Sequence, residues 1–240
     1  MLALSDSEVH IWHAHVESCL DDKSRSRTLL NVLSESERSL REGVKIDHVR
    51  QERLLSRALV RWVLSRYADV APEEWLFRDN RFGRPEIVPH PGVPPIRFNV
   101  SHSHGVVLAG FTLDHDIGVD IESHSRQLSV DGISKFLSLP EREQLESFDV
   151  EARAKAFLRI WTLKEAYAKA HGMGLSLPFD RFSFGLSEQP ELSIHNDFDL
   201  DDSPRSWQFE QFDVAPCHIA AIAVRSNGTP LRFFMQPFKA

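Results

Sequence analysis

The chain has 240 residues, with 28 Lys and Arg against 35 Asp and Glu, a formal charge of −7. That length suffices for one large domain or two small ones around a buried core. An apolar content of 42%, with 16 Phe and 5 Trp, excludes disordered, collagen-like and coiled-coil classes. Cys19 and Cys217 are the only cysteines, so neither a disulfide framework nor a cysteine zinc site can be built. The amino-terminal segment lacks the basic start and apolar run of a signal peptide, and no run of about 18 apolar residues occurs, so a cytoplasmic protein with no membrane partner is expected. Charge is unevenly spread. Lys23 to Arg66 holds eleven Lys/Arg against five Asp/Glu, a local +6, whereas Leu186 to Asp213 holds eight acids against Arg205 alone, a local −7. The basic stretch is too short and too mixed for a nucleic-acid footprint, so no nucleic-acid partner is expected.

In chain order, Val9 to Val16 alternates as a strand does, and Ser34 to Ala68 contains a long helical pattern. Within it Leu54, Leu55, Ala58, Leu59, Trp62 and Val63 share an apolar face, while Arg50, Arg53, Arg57 and Arg61 form a stripe that by itself reads as a solvated helix face. The proline-rich run from Pro85 to Pro95 predicts an irregular surface connection. Strands follow at Ile96 to Val100, Val106 to Leu113 and Ile117 to Ile121, then helices at Lys135 to Phe148 and Glu151 to His171, the latter stopped by Gly172 and Gly174. Short strands are expected at Arg181 to Leu186, Glu191 to His195, Ser206 to Val214, His218 to Val224 and Leu231 to Phe234. Strands and helices without regular βαβ alternation indicate an α+β fold.

In the strand Gly118-Val119-Asp120-Ile121-Glu122, alternation buries Val119 and Ile121 and projects Asp120 and Glu122 together from the other face. Like charges held that close call for a cation or a shared proton, although a solvent-facing polar edge explains the pattern equally well. In Trp161-Thr162-Leu163-Lys164-Glu165-Ala166-Tyr167-Ala168-Lys169, the residues Trp161, Glu165 and Lys169 share a helix face, which alone is no more than a surface ion pair. Taken together, Asp120, Glu122 and Glu165 suit a hard cation such as Mg²⁺, with lysines and arginines to neutralise a polyphosphate. His102 and Ser101, in a turn between strands, suit a further phosphate.

These residues resemble the 4'-phosphopantetheinyl transferases of the Sfp type. The likeness lies in Asn99-Val100-Ser101-His102-Ser103, Gly118-Val119-Asp120-Ile121-Glu122, Trp161-Thr162-Leu163-Lys164-Glu165 with Lys169, and Gly174-Leu175-Ser176-Leu177-Pro178, in that order, with Gly83-Arg84-Pro85 upstream. The resemblance implies a monomer of two similar α+β halves in pseudo-twofold arrangement, residues 1–114 and 115–240, with coenzyme A in the cleft between them. It implies that Asp120, Glu122 and Glu165 hold Mg²⁺ or Mn²⁺ against the pyrophosphate, and that Lys164 and Lys169 contact phosphates. His102 and Ser101 would bind the 3'-phosphate, and Arg84 would lie near the adenine and ribose. An arginine of the amino-terminal half joins the pocket; Arg50, Arg53 and Arg57 are all open, and Arg53 is chosen. Met173 stands where some relatives carry a lysine in the glycine turn. The implied reaction transfers phosphopantetheine from coenzyme A to a serine of an apo acyl or peptidyl carrier protein, with Glu165 and Lys164 as catalytic groups. Fatty-acid, polyketide and non-ribosomal peptide carriers are all open.

A glycoside hydrolase leaves the surrounding lysines and arginines unexplained. A serine hydrolase lacks G-x-S-x-G. Zinc binding by His10, His13 and His15 fails because His10 points away from the other two. A non-catalytic module that binds coenzyme A or a carrier protein is the remaining alternative.

Overall fold

The computed structural model describes residues 1–126, 134–187, 190–195, 202–214 and 217–239. They divide into two units, Met1–His115 with Leu231–Ala240, and Asp116–Pro230. Helices and strands are mixed in both, as the α+β reading requires. The residues expected as the last strand of the carboxy-terminal half belong instead to unit 1. There β11 (Arg232–Pro237) runs parallel to β1 (Glu8–His15) and satisfies its outer edge, from Glu8 opposite Arg232 to His13 opposite Pro237.

Unit 1 is a four-stranded sheet in the order β11-β1-β5-β4, with β4 at Ile96–Ser103 and β5 at Val106–Leu113. Alternation places Trp12 and Ala14 of β1, Phe98 of β4 and Ala109 and Phe111 of β5 on one face, where they pack against Leu54, Leu55, Ala58 and Leu59 of α4 (Asp47–Tyr67). The helix expected over Ser34 to Ala68 is therefore two. The first, α3 (Glu35–Glu42), starts at a capping box in which Ser34 and Glu37 satisfy each other's backbone amides, and it stops at Gly43. Arg61 then ties α3 to α4: 2% exposed, it donates to Glu37 and to the carbonyls of Pro72 and Trp75. Two short helices, α1 (Val16–Leu20) and α2 (Lys23–Asn31), were not legible, being too short to show a period. The proline-rich connection begins as the second strand of a small hairpin, β2 (Phe77–Asp79) with β3 (Pro85–Ile87). Gly83 permits its turn with φ +85°, while the Asn80 side chain accepts the amides of Phe82 and Arg84.

Unit 2 is built on the antiparallel sheet β6-β10-β9, with β6 at Ile117–Ser123, β9 at Trp207–Val214 and β10 at His218–Arg225. A second hairpin pairs β7 (Phe182–Gly185) with β8 (Glu191–Ile194). The helix expected from Lys135 begins later, as α5 (Leu139–Glu146), because Ser138 and Glu141 form a capping box there and Pro140 occupies its first turn. The long α6 (Val150–His171) is opened by Asp149, which accepts the Ala152 amide, and closed by Gly172 at φ +69°. No described helix is long and apolar enough to cross a membrane.

What brings α6 onto the sheet is the absence of a side chain at Gly118. A Cβ there would lie 1.9 Å from the Ala166 carbonyl oxygen and 2.4 Å from the Ala170 amide nitrogen. Ala221 and Ala223 on β10, beside Asp120 and Gly118, keep that sheet face low as well.

Candidate active site

The close contact between β6 and α6 sets up an acidic centre. Val119 and Ile121 are buried on one face of β6, and the face bearing Gly118, Asp120 and Glu122 is turned to α6. Asp120 and Glu122 are thus not a solvent-facing edge: they are 4% and 7% exposed. Each is engaged by a cation. Lys169 donates to Asp120 Oδ1 at 2.6 Å, and Arg126, four residues beyond Glu122, pairs with that carboxylate.

Glu165 lies one helical turn before Lys169 and completes the cluster. Burial first, and then the negative charge of Asp120, push its carboxyl above the ordinary glutamate range, while Lys169 and Arg126 pull it back. The strand and the helix therefore bring Asp120 and Glu165 within electrostatic reach of each other, and Arg126, which pairs with Glu122, also acts on Glu165. Their hard oxygen donors fit a small divalent cation, and added positive charge would relieve the repulsion between Asp120 and Glu165. Among the described residues, however, no group of three or more His, Cys, Asp or Glu closes into a metal shell, and Lys169 and Arg126 supply the positive charge present.

The expectation that Lys164 touches phosphates is corrected. Its neighbour Glu165 faces the acidic centre, but Lys164 itself, about 100° round the helix, is fully buried on another side. Its ammonium donates to Glu141 Oε2 and to the Phe182 carbonyl, both at 2.6 Å, and lies 4.4 Å above the Phe182 ring. Burial lowers its pKa to about 8 while Glu141 holds it up, so it remains charged at neutral pH. Lys164 is a tie between α6, α5 and β7.

Unit 1 contributes a basic groove of about 410 Å³. Arg41 of α3, Arg53 and Arg57 of α4 and His102 of β4 line it. The arginine stripe is thereby resolved. Arg53 and Arg57 face the groove, Arg50 pairs with Asp47 at 2.7 Å, and Arg61 is the buried tie already described. His102 projects on the α4 side of the sheet, in register with Val107 of the core. Ser101, one residue earlier, projects from the opposite face, so the two side chains cannot share one phosphate. Arg84, 9% exposed, lines an adjoining cavity of about 350 Å³ with Arg78 and Arg97, and Pro85 borders both cavities.

Sequence reasoning missed Glu52, Arg41 and Arg126. Glu52 lies fifty residues from the histidine it bonds, so no local pattern could reveal it. Arg126 carried a weak signal, a basic residue just past the end of an acidic strand.

A buried acidic centre on a strand and helix, together with a groove of arginines and a histidine, defines a protein equipped to neutralise and position phosphate groups. Residues 116–224 match the pattern of the 4'-phosphopantetheinyl transferase superfamily. The chain is 32% identical over 177 residues to 4'-phosphopantetheinyl transferase Sfp of Bacillus subtilis, spanning 74% of this chain and 75% of that protein. It is 30% identical over 234 residues to 4'-phosphopantetheinyl transferase HetI of Nostoc sp., spanning 97% and 94%. A holo-(acyl-carrier-protein) synthase from Bacillus anthracis, solved in complex with CoA, is similar over 45% of this chain and 93% of its own, with 18% identity and a TM-score of 0.38. The chain belongs to the 4'-phosphopantetheinyl transferase superfamily.

Proposed function

We propose that the protein transfers the 4'-phosphopantetheine group of coenzyme A to a serine of an apo acyl or peptidyl carrier protein, giving holo carrier protein and 3',5'-ADP. The observation that carries this is the pair of buried carboxylates Asp120 and Glu122 on β6, with the half-buried Glu165 facing them from α6, in a chain of this family. Asp120, Glu122 and Glu165 would hold a divalent cation, Mg²⁺ or Mn²⁺, whose charge would offset that of the pyrophosphate.

In this reading the serine hydroxyl attacks the β-phosphorus of coenzyme A. A new P–O bond forms to serine, the bond to the bridging oxygen breaks, and 3',5'-ADP leaves with that oxygen. Glu165 accepts the serine proton. Lys169, 26% exposed at the side chain and bonded to Asp120, is the lysine of the centre that a phosphate oxygen would meet. Lys164 supports the reaction only by holding α6 in place. In unit 1, Arg53 and His102, with Arg41 and Arg57, would grip the 3'-phosphate, and Arg84 would serve the nucleoside from the adjoining cavity.

Glu165→Gln tests the assignment. It should retain coenzyme A binding and lose roughly 10²- to 10⁴-fold in the rate of holo carrier formation, the usual contribution of a positioned base. Near-native turnover would remove Glu165 from this role. Lys23, Arg25, Arg27 and Arg38 are exposed on and beside α2 and α3 and fit an acidic carrier surface. Rising salt should raise KM for the carrier; a salt-independent KM would place docking elsewhere. The protein is expected to work as a cytoplasmic monomer without nucleic-acid or membrane partners.

A further inference from the structure

Glu52 is 4% exposed in the middle of α4, a position where an unpaired carboxylate would be strongly unfavourable. Its two oxygens divide their work. Oε2 accepts from His102 Nδ1 at 2.9 Å, and Oε1 accepts from the Gly105 amide at 2.6 Å. Burial pushes the Glu52 carboxyl up, but the bonds from His102 and Gly105 and the nearby His102 and His48 outweigh it and leave the group below its ordinary range. Glu52 is therefore an ionised, acceptor-only partner, and Nδ1 of His102 must carry a proton to meet it. Nε2 is the ring nitrogen left to the groove, where Arg41, Arg53 and Arg57 converge. Arg41 Nε is buried there with no hydrogen-bond partner among the described residues, as expected of a group that waits for an anionic ligand.

We infer that Glu52 is the positioning residue of the 3'-phosphate site: it fixes the ring of His102 in β4, and through Gly105 the β4–β5 turn just beyond it, so that Nε2 meets the phosphate. This rests on the proposed use of coenzyme A. Glu52 does not touch the phosphate, and as a carboxylate it would repel one. Its effect passes through His102, much as a carboxylate orients a metal-bound histidine from behind.

The test compares coenzyme A with dephosphocoenzyme A, which lacks only the 3'-phosphate, by calorimetric titration of the full chain and its Glu52→Gln, His102→Ala and doubly substituted forms. Glutamine offers a single acceptor and no charge, so His102 Nδ1 and the Gly105 amide can no longer both be held by an ionised partner. The unmodified chain should prefer coenzyme A, and Glu52→Gln should cut that preference about tenfold, the scale of one charge-assisted hydrogen bond. In the His102→Ala background, Glu52→Gln should change the preference no further, because both act on one contact. A generally loosened structure would weaken both ligands in proportion and leave the preference intact, which would overturn the inference, as would additive effects of the two substitutions. If Glu52→Gln fails to fold, imidazole ¹⁵N resonances of the unmodified chain decide. Binding of 3',5'-ADP should shift Nε2 of His102 and leave Nδ1 protonated; a shift centred on Nδ1 would refute the assignment. Because the readout is binding, loss of carrier turnover would contradict the proposed function without touching this result.

Discussion

Replacing Lys164 by methionine separates a structural role from a phosphate contact. The side chains of Lys164 and Glu141 are 0% and 1% exposed and 2.6 Å apart. Removing the ammonium leaves Glu141 charged in the interior. Breaking such a pair costs about 3 to 5 kcal/mol. Glu141 keeps the Ser138 amide at 2.8 Å, the Ser138 hydroxyl at 3.0 Å and the Phe184 amide at 2.9 Å, and these donors place the loss near the lower end. With about 2 to 4 °C per kcal/mol for a chain of this size, Tm should fall by roughly 6 to 12 °C. Adding Glu141→Gln should recover part of it, since the orphaned charge is then gone. Thermal melts followed by circular dichroism, beside titration of coenzyme A at a temperature where the variant is folded, give both quantities. A variant with near-native Tm and coenzyme A affinity lowered tenfold or more would refute the reasoning and return Lys164 to the phosphates.

Gly118→Ala forces a Cβ against the backbone of α6, so it should destabilise by about 1 to 3 kcal/mol or more and, by moving Glu165 and Lys169 away from Asp120, lower turnover in the fraction that remains folded. Melts and single-turnover assays check it, and a variant that behaves as the unmodified chain would show that α6 is not seated as described. Asp202 should make unit 2 acid-sensitive. Burial raises its pKa, but bonds from His171, Trp207 and Tyr167 outweigh this and hold it down to about 2 against an ordinary 3.8. A depressed carboxylate contributes stability that is complete above its unfolded value and lost as pH falls through the folded one, here between about pH 4 and 2. Asp202→Asn should flatten that part of the denaturation profile and lower Tm at pH 7. An unchanged acid limb would contradict the network.

Legibility followed the range of the interactions. Asp120 and Glu122 were visible because strand alternation is a local rule, and Glu165 because it shares a helix face with Lys169. Burial of the pair was not visible: it depends on Gly118 meeting Ala166 and Ala170 from a helix almost fifty residues on. Lys164 was misplaced for the same reason, since its partners Glu141 and Phe182 lie outside its own helix. The arginine stripe was read as one face, yet tertiary contacts gave its members three fates: Arg50 on Asp47, Arg53 and Arg57 in the groove, Arg61 in the interior. Ser101 and His102 are neighbours in sequence, yet β4 continues to Ser103, and strand alternation sets them on opposite faces.

The most direct measurement is intact mass spectrometry of an apo acyl carrier protein incubated with the chain, coenzyme A and Mg²⁺, with a chelator control. The account predicts a gain of about 340 Da, one phosphopantetheine from a single phosphoryl-type transfer, abolished by the chelator. No gain with acyl and peptidyl carriers alike, in a preparation that binds coenzyme A, would contradict it and identify a binding module without transfer.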